Sequence, residues 1–281
     1  MTPTLVRHQS PAASAPPAQA CARARDWAEI QERMLVPLYE AVYERLEVGP
    51  ATRLLGLGCG SGLALLMAAS RGARVTGVDT RPERLALARE RLLPEGVWGR
   101  VGDRDDTRVL EGGPRAAADP SGARYDLVTA FEPVGCAAGD ADGLVPALEA
   151  AVGLAERGAA VVLAGWGPPE RCATSGVLRV AARLTDAPRW RPSLRDDLED
   201  LASRAGLRPD GSGRVACPFG YADTDSAVRG LLSTGLFDAA ARATDQVQVE
   251  KELTEALHPH LRRDGTVWMP NVFRYLIART P

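Results

Sequence analysis

Glycine stands at positions 56, 58, 60 and 62, directly after the apolar pair Leu54 and Leu55. The pattern reads as a short apolar strand running into a tight turn. A helix comes next, with Leu63, Leu66 and Met67 on one face and Ser61 placed to cap its start. Glycine at this spacing permits positive φ in a strand-to-helix turn and lets a ligand lie directly against the backbone.

The letters discriminate among nucleotide-binding loops. A dinucleotide fingerprint needs G-x-G-x-x-G, but counting from Gly56 or Gly58 lands on Ser61 or Leu63. A phosphate-binding P-loop needs a lysine that is absent here. What stands is G-x-G-x-G at 58, 60 and 62, and the next strand, 73–78, ends in Asp79. A carboxylate at that place can accept both ribose hydroxyls of an adenosine-bearing ligand.

This order of glycine loop, helix, strand and acid resembles motif I and the acidic motif of class I S-adenosylmethionine-dependent methyltransferases. The segment 165–172, with Trp166, Gly167, Glu170 and Cys172, is similar to one in small-molecule enzymes related to the ubiquinone/menaquinone C-methyltransferases. The resemblance implies an α/β fold with a Rossmann-like, doubly wound, seven-stranded sheet and helices on both faces. It implies an antiparallel last strand, N-terminal helices, and a helical insertion between the last two strands. The implied cofactor is S-adenosyl-L-methionine, held by Gly58, Cys59, Gly60, Asp79 and Thr80. The family's acid just past the third strand meets the adenine amino group. With that strand read at 97–101, Asp103 beside Arg104 matches it, and Asp105 and Asp106 are rivals. Many members carry an acid where this chain has Gly56, which removes one contact to the methionine part of the cofactor.

The length of 281 residues suits one α/β domain with an added lobe, and 45% hydrophobic content supports an ordinary core. A net charge of -2 argues against nucleic acid or an anionic membrane as partner. No apolar run approaches a bilayer span. Five scattered cysteines form neither a disulfide framework nor a zinc motif and suit the cytoplasm; Cys59 reads as a small filler rather than a nucleophile. Lys251 is the single lysine among 34 basic residues. With abundant Ala, Gly and Pro, that suggests a GC-rich genome and makes a specialised-metabolite role attractive. Residues 1–22, rich in Ala, Pro and Ser at their start, read as a disordered tail, with the methyltransferase domain over 23–281.

From Asp26 onward a helical face carries Trp27, Ile30, Met34, Leu35, Leu38, Val42 and Leu46, and Pro37 must kink or divide it. In the family such helices cover the cofactor pocket, so Trp27, Tyr39 and Tyr43 either line it or pack on the sheet. The fourth strand, 125–131, delivers Phe131 and then Glu132 to the crevice beyond the strand ends. Glu132 is a candidate for the cofactor's amino group, for the acceptor, or for a catalytic role. Extended segments at 214–219 and 267–278 fit the last two strands, and 220–262 between them reads as a helical substrate lid. Trp27, Tyr39, Trp166 and Tyr221 are candidate walls of the acceptor pocket. The remaining candidates for a base are His258 and His260 in the lid, either of which could instead complement a helix dipole.

Three activities compete on these residues. Methyl transfer to a small-molecule acceptor is favoured by motif order. A nucleic-acid methyltransferase is disfavoured by charge and by Phe131-Glu132-Pro133-Val134 in place of N-P-P-[YF]. A cofactor-binding scaffold without catalysis is kept open by Gly56 and by the lack of an evident base. A homodimer is left open.

Overall fold

The computed structural model describes residues 17–93, 107–136, 140–185 and 194–281. Helix α1 (Pro17–Asp26) runs through a π turn (Trp27–Gln31) and a 3₁₀ turn (Glu32–Leu35) into α2 (Val36–Arg45). Strand β1 (Arg53–Leu57) leads to α3 (Leu63–Ala69), β2 (Arg74–Asp79), α4 (Pro82–Leu92) and β3 (Thr107–Glu111). Then come β4 (Tyr125–Val134), α5 (Leu144–Val152), β5 (Ala155–Trp166), α6 (Thr174–Arg183), α7 (Asp197–Arg204) and β6 (Arg208–Ala216). The chain ends with β7 (Phe219–Tyr221), α8 (Thr224–Ser233), α9 (Asp238–Ala243), α10 (Gln246–Leu257), β8 (Val267–Met269) and β9 (Val272–Arg279).

Seven strands form one sheet in the order β3-β2-β1-β4-β5-β9-β6. Strands β1 to β5 pair in parallel, and β9 lies antiparallel to both β5 and β6. Strand β6 therefore runs with the parallel set, and β9 alone opposes it. The strand order reverses between β1 and β4, which opens the crevice beyond their carboxyl ends where ligands settle in such sheets.

Period-two alternation builds two cores. Along β5, Ala160, Val162 and Ala164 face a layer made by α2, α3, α6 and the late helices. Val161 and Leu163 face α5 and α7. Helix α2 turns Leu38, Tyr39, Val42 and Tyr43 inward, and Pro37 sits in its first turn, where a missing N–H costs nothing. Helices α8 and α10, between β7 and β8, have side-chain caps. Asp223 accepts from the Ser226 N–H and Asp245 from the Gln248 N–H, each at 2.7 Å.

Three expectations need correction. The third strand of the sheet is Thr107–Glu111, in register with β2 so that Asp79 stands beside Glu111. Asp103 and Arg104 precede that strand and lie outside the described residues. Glu111 ends the strand, and Gly112 and Gly113 come directly after it. Val109 supplies the buried, β-branched centre of β3 that 97–101 was expected to supply. Second, α1 begins at Pro17, so 17–22 is helical. Third, Ser61 does not cap α3. The residue before that helix is Gly62 at φ 79°, and the Ser61 hydroxyl is turned towards Glu32.

The helices 224–257 pack into the main core. Val249, Leu253, Leu257, Leu231 and Phe237 are all buried in the cluster that includes β9 residues Phe273 and Tyr275. They also clasp the N-terminal helix. Arg23 bonds Asp238 at 2.8 Å and the Leu232 carbonyl at 3.1 Å, and Tyr221 donates to Gln31 at 3.0 Å.

Candidate active site

The turn after β1 holds Gly58, Gly60 and Gly62 at φ of 60°, 57° and 79°, a left-handed region that other residues enter only at a cost. Gly56 has a different reason. It faces Gly77 across the β1–β2 pair, and a Cβ on either would meet the Leu65 side chain, at 2.9 Å from Gly56 and 2.4 Å from Gly77. Helix α3 thus presses Leu65 into a notch made by two paired glycines. An acid at 56 would need that space, which accounts for its absence here.

Asp79, at the end of β2, is buried against the loop. Its Oδ2 accepts from the Gly60 N–H at 2.9 Å, and its Oδ1 accepts from the Arg81 N–H at 2.9 Å and from Arg81 Nε at 3.2 Å. The same Arg81 reaches Glu132 at 3.2 Å. One guanidinium therefore ties the β2 acid to the acid at the end of β4.

The other wall comes from the π and 3₁₀ turns between α1 and α2. Departures of this kind inside a helical run often mark functional positions. Here they aim Trp27 and Glu32 at the loop: a Cβ on Gly60 would stand 3.1 Å from Glu32 Oε1 and 3.2 Å from Trp27 Nε1. Glu32 accepts from the Ser61 hydroxyl and from Arg91 at 3.1 Å. Burial raises its pKa, against the lowering from Ser61, Arg91 and the Leu63 N–H. Behind it, Tyr39 packs on Phe131 with ring centroids 4.8 Å apart. Burial, with Glu32 next in weight, lifts the Tyr39 phenol well above its ordinary range, so it stays a neutral hydroxyl.

These groups enclose a cavity of about 30 Å³ lined by Trp27, Glu32, Tyr39, Gly58, Cys59, Gly60, Arg84, Phe131 and Glu132, among others. By that measure it has room for a water or two. Of the residues read from sequence, Gly58, Cys59, Gly60, Phe131, Glu132, Trp27 and Tyr39 converge on it, with Asp79 directly behind Gly60. Burial, followed by the nearby Asp79 and Glu32 charges, pushes the Cys59 thiol up to about 12, which leaves it inert as a nucleophile.

Other expected members stand elsewhere. Thr80 is exposed and does not line the cavity. Trp166 packs on Phe273 at 4.6 Å and Phe219 at 6.0 Å, and borders a different, open cleft with Arg171, Arg195, Arg214 and Arg274. Tyr221 is buried with its hydroxyl spent on Gln31, so it fastens the N-terminal turn rather than walling the cavity. His258 and His260 form a turn after α10, exposed and half-buried respectively, and neither lines the cavity. Among the described residues no His, Cys, Asp or Glu group could hold a metal ion.

Sequence reasoning passed over Glu32, Arg81, Arg84 and Arg91. Three of them carried a signal. Glu32 falls in phase with Ala28, Leu35 and Tyr39, and Arg84, Ala88 and Arg91 share one face of α4, so both put charge on an inward helical side.

With loop, acid and cover in place, the likeness to known proteins falls on these elements. Residues 54–147 match the family model described as "methyltransferase domain". The stretch is similar to a methyltransferase domain. It spans the glycine loop, Asp79 and β4, while the covering helices lie outside the match. A methyltransferase of Streptomyces halstedii, GfsG, is 40% identical over 75 residues, 26% of each chain. The ubiquinone biosynthesis O-methyltransferase of Xanthomonas euvesicatoria is 39% identical over 93 residues, 33% of this chain and 35% of that one. The chain therefore aligns with only a quarter to a third of the relatives' length. Among solved structures, a SAM-dependent methyltransferase from Thiobacillus denitrificans in complex with S-adenosyl-L-homocysteine aligns at TM-score 0.52 and 18% identity. That alignment covers 94% of this chain and 99% of the other. YjhP of E. coli aligns at TM-score 0.53 and 18% identity, covering 93% of this chain and all of the other. At such identity the likeness is one of fold. The seven-stranded sheet with its antiparallel β9 is Rossmann-like, as in those structures. No helix among the described residues is long and apolar enough to cross a membrane.

Proposed function

We propose that the protein transfers a methyl group from S-adenosylmethionine to a small-molecule acceptor by direct in-line displacement, and that it works in the cytoplasm. The observation that carries this reading is the Asp79 carboxylate bonded to the Gly60 N–H beside the glycine loop, in the place where ribose hydroxyls find their acceptor. The residues suit such a donor. Asp79 offers acceptors for the ribose, Gly58 and Gly60 offer bare backbone, and Glu132 offers a carboxylate for an ammonium. The cavity of about 30 Å³ is smaller than the whole molecule, so binding must move Trp27, Glu32 or Arg81 outward. The π and 3₁₀ turns are the places to give.

The bound donor supplies an electrophilic methyl on a sulfonium. The chain's own part is to hold, align and exclude water. Trp27 and Tyr39 cover the loop, and Phe131 packs beneath Tyr39. Of the two carboxylates lining the cavity, Glu132 is the exposed one and Glu32 the buried one, so Glu132 is the one an acceptor's proton could reach. An acceptor that is already anionic, or that reacts at carbon, needs none. The relative named for ubiquinone biosynthesis supports a small-molecule acceptor. The likeness to a Streptomyces methyltransferase and the arginine-for-lysine composition favour a specialised metabolite.

The test is turnover with methyl-labelled donor against a panel of phenolic, polyketide and terpenoid acceptors. We expect label in at least one product. His258→Ala and His260→Ala should keep that turnover within about tenfold, well short of the roughly 10²–10⁴ a general base contributes. The second reading, a cofactor-binding scaffold, is favoured by Gly56 and by histidines that do not line the cavity. Donor binding with no labelled product from any acceptor would support it.

A further inference from the structure

Arg84 is a buried cation, 5% exposed, with no carboxylate in contact among the described residues. Its guanidinium carbon lies 4.0 Å from the centroid of the Trp27 ring, and Nη2 donates to the Ser233 carbonyl at 3.0 Å. Among those residues Nη1 has no partner. Nor has Nε1 of Trp27, itself only 8% exposed. Both residues line the cavity in front of the glycine loop.

Three carboxylates surround this pair, and each is committed elsewhere. Asp79 is held by Gly60 and Arg81, Glu132 by Arg81, and Glu32 by Ser61 and Arg91. Burial, then repulsion from Arg81, pushes the Arg84 pKa down to about 10, which still leaves a cation at neutral pH. Glu132, Asp79 and Glu32 attract the cation, but among the described residues none of them bonds Nη1. A buried charged N–H and a buried indole N–H without acceptors are both unfavourable, and an anionic ligand in the cavity would satisfy the two together.

We propose that Arg84 Nη1 and Trp27 Nε1 dock a carboxylate, that of the aminoacyl arm of the methyl donor. The inference rests on the methyl-donor reading above. Two N–H donors on stacked, cavity-lining side chains, one of them charged, suit a planar anion with two oxygens. Three carboxylates on the same wall disfavour the second charge of a phosphate. A carboxylate that brings its own ammonium, with Glu132 at hand for it, meets no such objection. Position agrees: Asp79 bonds the nitrogen of Gly60, and Trp27 stands against the α-carbon of the same glycine. The ribose acceptor and the two free donors therefore flank one short stretch of loop.

The experiment is calorimetric titration of the full chain with S-adenosylhomocysteine and with 5′-methylthioadenosine. The second ligand keeps the adenosine and thioether but lacks the aminoacyl arm. Arg84→Met should weaken S-adenosylhomocysteine by about 10- to 100-fold and leave methylthioadenosine within about twofold. Trp27→Phe, which keeps the ring and removes the N–H, should weaken only the first ligand, by about 3- to 10-fold. Because Arg84→Met removes an unpaired buried charge, it should melt no lower than the parent; if it does not fold, Trp27→Phe carries the test. Equal weakening of both ligands, or unchanged affinity for S-adenosylhomocysteine, overturns the proposal. A parent chain that binds neither ligand overturns the methyl-donor reading and this inference with it.

Discussion

Asp79→Ala should weaken S-adenosylhomocysteine binding by about 2–4 kcal/mol, roughly thirty- to several-hundred-fold in Kd. On the proposed reading the carboxylate accepts both ribose hydroxyls, and a hydrogen bond to a charged group contributes about 1.5–3 kcal/mol. The structure adds a second effect. The side chain is only 2% exposed and already holds the Gly60 N–H and Arg81. Its loss leaves a buried N–H and a guanidinium seeking acceptors, so the apo protein should also lose about 1–3 kcal/mol of stability. Urea unfolding measures the second effect and calorimetry the first. Asp79→Asn, which keeps one acceptor oxygen, should fall between parent and alanine variant in both. Unchanged ligand affinity in the alanine variant would contradict the assignment of the ribose site.

Phe237→Ala should cost about 3–5 kcal/mol of folding stability, the range for emptying a large aromatic site in a closed core. Phe237 lies between α8 and α9, is fully buried, and belongs to the same apolar cluster as Phe273 of the central sheet. With total stabilities of about 5–15 kcal/mol, this loss is a large share. A shift below about 1 kcal/mol in urea unfolding, with turnover alone affected, would show that 224–257 behaves as a separate flap. The larger loss would show that cover and core are one cooperative unit.

How much could be read in the chain depends on how local each feature is. The glycine loop, the strand before it and Asp79 lie within 53–79, and their physics is contiguous: an apolar run, positive φ, then an acid. The apolar run of β4 is similarly local, and its carboxyl end places Phe131 and Glu132 at the crevice. The third strand was misplaced because 97–101 and 107–111 both offer short apolar runs. Only pairing with β2 distinguishes them. The groups that close the site are long-range. Glu32 meets Ser61 across 29 positions and Arg84 meets Ser233 across 149, contacts no local period reveals. Trp166 and Tyr221 were drawn towards the acceptor because they are aromatic and near strand ends. Packing on Phe273 and bonding to Gln31 account for them instead. The histidines were candidates because titration near neutrality is rare among side chains, and the fold turns them away from the cavity.

The central claim is that the glycine loop and Asp79 hold an adenosine-bearing methyl donor. Calorimetric titration of the full chain with S-adenosylhomocysteine, run beside NADH, tests it most directly. We expect a single-site isotherm with a micromolar dissociation constant for S-adenosylhomocysteine and no heat with NADH. Saturable binding of NADH, with no response to S-adenosylhomocysteine at millimolar concentration, would contradict it.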